Sequence, residues 1–259
     1  MKRVLVAVDF HSGHQVGLTH PDFERKPSTK SKQYKYYRIR REMWDWYANT
    51  VASLQPIDVG IFPGDLIDGR GDKNGGIELL LPDRNEQCDC AAANIEETKA
   101  EVKLLAYGTP YHCGLIEDYE DLIAKSVSAL KIESHGFVDI NGVKFDYRHH
   151  IGRSSVPHTR FTPIAREKLW AMIWAERGEY PDCDVLLRGH VHYFDYCGSV
   201  DWLAVTLPAL QAYWTRYGTR YMSGTVDFGL VWFDITDKEH WTWHYKVKRL
   251  KSRQDILKV

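Results

Sequence analysis

The sequence predicts an α/β protein in which layers of helices and strands are stacked as a sandwich. Three observations support this prediction. Four short apolar runs, each typical of a buried strand, lead directly into clusters of Asp, His or Gly. Segments with helical periodicity lie between these runs. The last third of the chain instead carries strand-like runs in series, which favours sheets packed in layers.

The strands are predicted from continuous hydrophobicity and β-branched residues. The four buried runs are residues 4–8, 57–62, 102–107 and 183–187. Asn141-Gly142 stands between two alternating runs within residues 136–147, which predicts a tight hairpin turn. The strand-like runs of the last third are residues 202–207, 225–233 and 241–247, and no convincing helix is found there.

The helices are predicted from apolar residues that recur every three or four positions. The three segments with this spacing are residues 39–54, 116–130 and 164–174. Thr162-Pro163 is typical of an N-cap followed by proline at the first helical position. Two polar stretches, residues 13–38 and 69–90, follow strand ends and are expected to be loops over a site. We find no linker, repeat or low-complexity tract, so residues 1–259 are expected to form one domain.

The composition excludes some classes of function. The 44% hydrophobic and 27% charged content is ordinary for a soluble globular protein. A formal net charge of -1 gives no global attraction to nucleic acid or to membranes, and no apolar run is long enough to span a bilayer. The five cysteines, an odd number without a secretion signal, are expected to be free thiols in the cytoplasm.

Three polar motifs that follow predicted strands carry the chemistry. They are Asp9-Phe10-His11, the Gly64–Asp68 segment Gly-Asp-Leu-Ile-Asp, and Gly189-His190-Val191-His192. Alternate residues in an extended chain point to the same side, so Asp9/His11 and His190/His192 form plausible chelating pairs. Carboxylate oxygens and imidazole nitrogens favour Mn, Fe, Zn or Ni over Ca. Taken singly, each motif is also compatible with a strand-end cap or a surface histidine. The prediction of a metal site therefore depends on the order in which the motifs occur along the chain.

In that order the motifs resemble a known family. D-x-H, G-D-x-x-D, a Gly-led motif, a strand-end His and G-H-x-H resemble the signature of calcineurin-like metallophosphoesterases, over residues 4 to about 195. The resemblance implies a layered αββα sandwich, the calcineurin-like phosphoesterase fold, with two mixed sheets flanked by helices. It also implies hydrolysis of phosphate esters at two divalent metal ions. We expect manganese first, with Fe, Zn, Ni or Mg as alternatives.

The resemblance implies a role for each residue that matches. Asp9, His11 and His192 would bind the first ion. Asp65 would bridge the two ions and take part in catalysis, and His190 would bind the second ion. The attacking group would be a hydroxide held between the ions, in line with the leaving group.

A further strand-end histidine is expected at the second ion, and His149 and His150 both stand in the right place. We prefer His149 because it lies at the very end of the predicted hairpin strand, whereas side-chain alternation alone leaves His150 open. Asp68 is expected to brace the loop or a ligating histidine through a hydrogen bond. Arg70 is a candidate for binding a phosphate oxygen, although a solvated loop arginine fits its position equally well.

The third motif departs from the family pattern. Gly108-Thr109-Pro110-Tyr111-His112 stands where Gly-Asn-His followed by an acidic residue is usual. Thr109 occupies the asparagine position, as an optional ligand or a substrate contact. His112 comes two residues late, and we expect it to protonate the leaving group rather than to replace the missing ligand.

Three other functions are compatible with parts of this pattern. A metallo-β-lactamase-like hydrolase needs an H-x-H-x-D-H run, and the sequence has none. A nuclease would use the same chemistry, with the basic, tyrosine-rich residues 26–41 along a phosphate backbone; a solvated loop is the alternative for that segment. A non-catalytic metal-binding scaffold predicts missing ligands. A phosphodiesterase is therefore the preferred function, with a phosphate ester as substrate, nucleic acid as a possible partner, no membrane association, and the oligomeric state open.

Overall fold

The structure is a computed structural model that describes residues 1–221, 224–250 and 257–258. The helices are α1 (Tyr34–Ser53), α2 (Arg84–Glu96), α3 (Pro110–Cys113), α4 (Tyr119–Ser126), α5 (Thr162–Glu176) and α6 (Arg216–Tyr221). The strands are β1 (Lys2–Val6), β2 (Val59–Pro63), β3 (Val102–Ala106), β4 (Lys131–Glu133), β5 (Gly136–Ile140), β6 (Val143–Arg148), β7 (Val185–Arg188), β8 (Asp195–Gly198), β9 (Leu203–Thr206), β10 (Phe228–Ile235) and β11 (Trp241–Lys248).

The strands form two mixed sheets. The first has the order β11-β10-β1-β2-β3-β4, in which β1 to β4 are parallel, β10 is antiparallel to β1, and the edge strand β11 is antiparallel to β10. The second has the order β5-β6-β7-β9-β8, in which β6, β7 and β9 are parallel and both edge strands are antiparallel. In each sheet the central strands therefore end at the same side, where ligands usually bind in α/β proteins.

Three apolar clusters separate four layers. Successive residues of β1 point to opposite faces of the first sheet. Leu5 packs with Met43 in a cluster that joins α1, α2 and α4 to that sheet, whereas Val6 packs with Phe145 between the two sheets. The third cluster joins α5 to the second sheet around Ile164. The predicted αββα sandwich, with two mixed sheets flanked by helices, is confirmed.

The elements predicted most clearly are those with the strongest local patterns. All four buried apolar runs contain a strand, and the last third contains the strands β9, β10 and β11 in the predicted places. The Asn141-Gly142 turn joins β5 to β6 with both residues at positive φ, 50° and 88°. This is the conformation that a two-residue hairpin turn requires. No helix in the part of the chain that the structure describes is both long and apolar enough to cross a membrane.

The expected loop over residues 69–90 is wrong in its second part, because α2 begins at Arg84. The side chain of Asp83 caps this helix by accepting hydrogen bonds from the backbone N–H groups of Asn85 and Glu86. The buried face of α2 includes the polar residues Gln87 and Asn94, so the usual apolar period is absent from its sequence.

Three other boundaries also differ from the sequence analysis. The loop expected over residues 13–38 ends early, since α1 begins at Tyr34. The helix expected over residues 116–130 is shorter than predicted and comprises only α4, and the apolar residues at the two ends of the predicted segment are exposed, Ile116 at 97% and Leu130 at 73%. Phe161 rather than Thr162 holds the N-cap position of α5. The last third contains the short helix α6, whose six residues are too few to show a period.

Candidate metal centre

The candidate ligands lie where the central strands of both sheets end. Asp9 and His11 follow β1, and Asp65 follows β2, its parallel neighbour. His149 follows β6 and His190 follows β7, which are parallel neighbours in the second sheet. Because both sheets end at the same side of the sandwich, these segments meet in one place. Backbone hydrogen bonds from Asp9 N to Gly64 O and from Gly189 N to His149 O hold neighbouring loops together.

The backbone at the candidate ligands is strained. Five of the six adopt positive φ, a conformation that costs a residue with a Cβ of order 1 kcal/mol or more and is common at functional sites. The five residues are Asp9, His11, Asp65, His190 and His192, with φ of 53°, 43°, 49°, 72° and 57°. This conformation turns the chain sharply after each strand and aims the side chains across the sheet edge.

Two glycines allow the loops to approach one another. A Cβ on Gly108 would lie 2.3 Å from Asp65 N and 2.4 Å from Asp65 Oδ1, so no side chain fits there. A Cβ on Gly189 would lie 2.6 Å from Val8 and 3.2 Å from Asp9 Oδ2. The glycines that lead the third and last motifs are therefore required by close packing around the aspartates.

The first ligand group consists of Asp9, His11 and His192, which are all buried or nearly so. Asp9 Oδ1 lies 3.3 Å from His192 Nε2 and 3.8 Å from His11 Nε2, and the two Nε2 atoms are 3.1 Å apart. Asp68 Oδ1 lies 3.2 Å from His11 Nδ1 and fixes the orientation of that ring. Three donor atoms of the kinds that bind first-row metals thus converge on one point.

The second ligand group consists of Asp65, His149 and His190. His149 Nδ1 donates a hydrogen bond to Pro63 O at 2.8 Å, which directs Nε2 into the site, 2.9 Å from Asp65 Oδ2. His150 points elsewhere, with its exposed ring 4.7 Å from that of His190. Of the two adjacent histidines, His149 is therefore the one within the site. It also lies 4.0 Å from Asp9 Oδ1, so the two groups are contiguous.

Two donor atoms at the centre of the site are buried without a hydrogen-bond partner among the described residues. They are Asp9 Oδ1 and His149 Nε2. His149 Nε2 is close to Asp65 Oδ2, but the contact does not have the geometry of a hydrogen bond. Buried polar atoms are rarely left unpaired, because each costs about 1–3 kcal/mol. The donor set and the unpaired atoms together fit a metal ion.

The pKa values of the candidate ligands are shifted because these ionisable groups are buried close to one another. Burial by itself would raise the pKa of Asp9 and of Asp65, but the surrounding histidines outweigh burial and lower both pKa values. Burial would lower the pKa of His11, yet Asp68 and Asp9 raise it to about 10. The pKa of His149 is raised to about 9, since Asp65 overcomes the effect of burial. Both carboxylates are therefore ionised. Their negative charge attracts either protons on the neighbouring histidines or a metal ion, so the binding of protons and of metal at this site is linked.

Thr109 and His112 from the variant third motif both lie in the site. Thr109 donates its backbone N–H to Asp65 Oδ1 at 2.6 Å, and its hydroxyl lies 3.1 Å from Asp65 Oδ2 and 3.2 Å from His190 Nδ1. His112 Nδ1 donates to Asp68 O at 2.7 Å, and its ring lies 4.5 Å from that of His11. A donor nitrogen of His112 also groups with His11 and Asp65 within 4.8 Å.

Arg70 is not brought into the ligand cluster. Its side chain is exposed and lines an adjacent cleft, which shares Tyr111 and His112 with the cavity over the ligands. That cavity has a volume of about 180 Å³. Besides the ligands, its lining includes Lys73, Tyr111, Tyr213 and Tyr217.

The sequence analysis missed the residues that brace the ligand loops. Glu120 from α4 is fully buried and accepts hydrogen bonds from Leu66 N at 3.0 Å and Gly108 N at 2.6 Å, so it joins the second and third motifs. Burial raises its pKa to about 7. Gln87 from α2 accepts from Gly69 N and donates to Gly69 O. The sequence offered no signal for these two residues, because a polar residue that is buried on a helix cannot be told from an exposed one without the structure.

The comparisons with known proteins add a likeness of fold. No family model matches the chain, and no curated protein matches it. Among solved structures, the chain is similar to Vps29 of Entamoeba histolytica complexed with Zn²⁺, at 11% identity and a TM-score of 0.46, over 95% of this chain and 98% of that one. It is also similar to an archaeal protein described as a phosphodiesterase, at 12% identity and a TM-score of 0.44, over 94% and 99% of the two chains.

A third similar structure comes from Streptococcus pneumoniae and is described as a predicted phosphoesterase. It is 9% identical, with a TM-score of 0.40, over 95% of this chain and 98% of that one. At such identities and scores the likeness describes the path of the chain and carries no argument about activity. The functional proposal below therefore depends on the residues of the site.

Proposed function

We propose that the protein is a metal-dependent phosphoesterase with two divalent ions, and that it hydrolyses phosphodiesters. One observation carries the proposal. Two contiguous groups of carboxylate and imidazole donors converge at the ends of parallel strands, and Asp9 Oδ1 and His149 Nε2 at their centre have no hydrogen-bond partner among the described residues. In this proposal Asp9, His11 and His192 hold the first ion, Asp65 bridges, and His149 and His190 hold the second.

Two ions in this position would activate a water molecule as nucleophile and neutralise charge on the phosphate. The protein itself orients the donors. Asp68 holds the His11 ring, Pro63 O holds the His149 ring, and the hydroxyl of Thr109 lies against both Asp65 and His190. Such supporting hydrogen bonds fix the tautomer and direction of each ligand, and their loss typically costs 10–100-fold in affinity or activity.

His112 is our candidate for the residue that protonates the leaving group. It is partly exposed and lines both the cavity over the ligands and the adjacent cleft. Burial lowers its pKa, which favours the neutral ring, and its Nδ1–H donates a hydrogen bond to Asp68 O. The negative charge of a bound phosphate raises the pKa of a nearby imidazole and favours a proton on Nε2.

The choice of leaving group tests this role. A general acid matters when the leaving group is poor and matters little when it is p-nitrophenol. His112→Ala should therefore slow hydrolysis of an alkyl phosphodiester far more than that of bis(p-nitrophenyl) phosphate. An equal loss on both substrates, together with weaker metal binding, would instead make His112 a ligand that replaces the missing asparagine.

The cavity supports a phosphodiester as substrate. Its lining extends past the ligands to Lys73 and Tyr111, and the Lys73 ammonium lies 4.3 Å from the centre of the Tyr111 ring. This provides space and contacts for an organic group on the far side of the phosphate. Residues 26–41, which a nuclease was expected to use, do not contribute to this lining. Arg40 in that segment is buried against Glu24 and Gln15 O.

The proposal is tested with the full chain loaded with Mn²⁺. We expect hydrolysis of bis(p-nitrophenyl) phosphate to exceed that of p-nitrophenyl phosphate, to disappear with a chelator, and to return with added metal. Asp65→Asn should lower kcat by at least about 10³-fold, or about 4 kcal/mol in the barrier. A metal-loaded protein that binds two ions but turns over neither ester would identify a metal-binding scaffold and overturn the enzymatic proposal.

A further inference from the structure

The outer face of α5 is apolar and exposed. Leu169, Trp170 and Ile173 are 61%, 52% and 48% exposed, and Met172 beside them is 44% exposed. A helix on the surface of a globular protein usually turns polar residues outwards, and contiguous apolar patches of this kind mark interaction sites.

The inner face of α5 is already occupied by its own fold. Ile164 is fully buried in the cluster that joins the helix to the second sheet. The buried Lys168 donates a hydrogen bond from Nζ to Cys183 O at 2.6 Å. The outer residues are therefore not needed to attach the helix, and their apolar character requires a different explanation.

The exposed residues follow the spacing of a helix–helix seam. Arg166, Leu169, Ile173 and Glu176 are separated by three, four and three residues, the alternation that places one stripe along a partner helix. Two apolar positions occupy the middle of the stripe, and residues of opposite charge occupy its ends.

This stripe is complementary to itself when reversed. If two copies of α5 pack antiparallel about a two-fold axis near position 171, Arg166 of each copy faces Glu176 of the other. In the same register Leu169 faces Ile173. An interface of this type requires one patch to match its own rotated image, and both the charges and the apolar residues satisfy that requirement.

We propose that the outer face of α5 is a homodimer interface, in which Leu169 and Ile173 form the apolar centre and Arg166 pairs with Glu176 of the second copy. A second copy fits better than a membrane surface, because a membrane-binding helix carries a basic polar rim, whereas this stripe ends in one basic and one acidic residue. None of the candidate metal ligands lies on α5, so this interface is separate from the proposed active site.

The charge pair provides the decisive experiment. Sedimentation of the full chain over a range of concentrations should show a dimer of twice the 30.1 kDa chain mass. Arg166→Glu alone and Glu176→Arg alone each place like charges opposite one another twice, and each should raise the dissociation constant at least about tenfold. A mixture of the two single variants should form a heterodimer, because every charge then faces its opposite, and the double variant should recover the homodimer.

Two further variants complete the test. Ile173→Glu should give a monomer with an unchanged circular dichroism spectrum. Lys238→Glu makes the same charge change as Arg166→Glu at an exposed residue that is not part of α5, and it should leave the dimer intact. A wild-type chain that stays monomeric at about 100 μM would overturn the proposal. So would single variants that dimerise as well as wild type, or a mixture that forms no heterodimer.

Discussion

Strands β6 and β7 carry two clusters of buried charge that differ in one respect. Within the strands, Arg188 donates to Asp146 Oδ1 at 2.6 Å and to Leu187 O at 2.9 Å, and His135 Nε2 lies 2.8 Å from the same carboxylate oxygen. Just beyond the ends of β6 and β1, His149 Nε2 and Asp9 Oδ1 have no hydrogen-bond partner among the described residues.

This difference distinguishes a cluster of charges that stabilises the fold from a cluster that can bind a ligand. Arg188 and Asp146 are almost fully buried, yet they neutralise one another and need nothing further. The cluster at the strand ends has an excess of unpaired donor atoms directed at one point. A buried charge is therefore weak evidence of a site by itself, and the unpaired donors are what indicate a ligand. Four predictions test this contrast.

The largest effect is expected at the two adjacent histidines. His149→Ala should lower the rate of phosphodiester hydrolysis by about 10³-fold, because it removes a proposed ligand of the second ion. His150→Ala should leave the rate within about threefold, since its exposed ring lies outside the site. Steady-state rates of the two variants at saturating Mn²⁺ check this pair, and equal effects would mean that the assigned ligand is wrong.

The next largest effect is expected at the buried pair of Arg188 and Asp146. Arg188→Met leaves the buried Asp146 with His135 as a partner but without the guanidinium, and it should lower the free energy of unfolding by about 3 kcal/mol, as measured by urea denaturation. The double variant Asp146→Leu/Arg188→Met removes both charges and should recover most of this loss. A double variant no more stable than the single one would show that the pair contributes more than mutual neutralisation.

Bound metal should stabilise the protein through the candidate ligands and not through the Arg188–Asp146 pair. At a Mn²⁺ concentration of 100 times the dissociation constant, binding adds about 2.7 kcal/mol to the free energy of unfolding. Thermal denaturation should show this gain in wild type and in the Asp146→Leu/Arg188→Met variant. His192→Ala, which removes a proposed ligand of the first ion, should lose most of it. An equal gain in all three proteins would place the bound metal elsewhere.

The smallest effect is expected from acid. Burial raises the pKa of Asp146, but Arg188 and His135 outweigh it and lower the pKa to about 2. A carboxylate with a lowered folded-state pKa stabilises the protein above its unfolded pKa of roughly 3.9 and loses this contribution as pH falls towards 2. The contribution is about 2.5 kcal/mol. Comparison of the unfolding free energies of wild type and Asp146→Asn between pH 5 and pH 2 should show this pH-dependent difference.

The sequence by itself determined the parts that depend on local pattern. Continuous apolar runs predict buried strands, and Asn141-Gly142 predicts the hairpin turn, because both signals lie within a few neighbouring residues. The motifs that follow the strands identified five of the six candidate ligands and left the sixth between His149 and His150, since parallel strands end at one edge of a sheet. The resemblance of their order to a known family supplied the expected fold.

Only the tertiary structure decided what depends on residues distant in the chain. It places His149 rather than His150 among the candidate ligands, because the hydrogen bond to Pro63 O directs the His149 ring into the cluster. It revealed Glu120 and Gln87, whose buried polar side chains brace the ligand loops. It also separated the two faces of α5. Both faces are apolar in sequence, and only packing against the second sheet shows which face remains exposed.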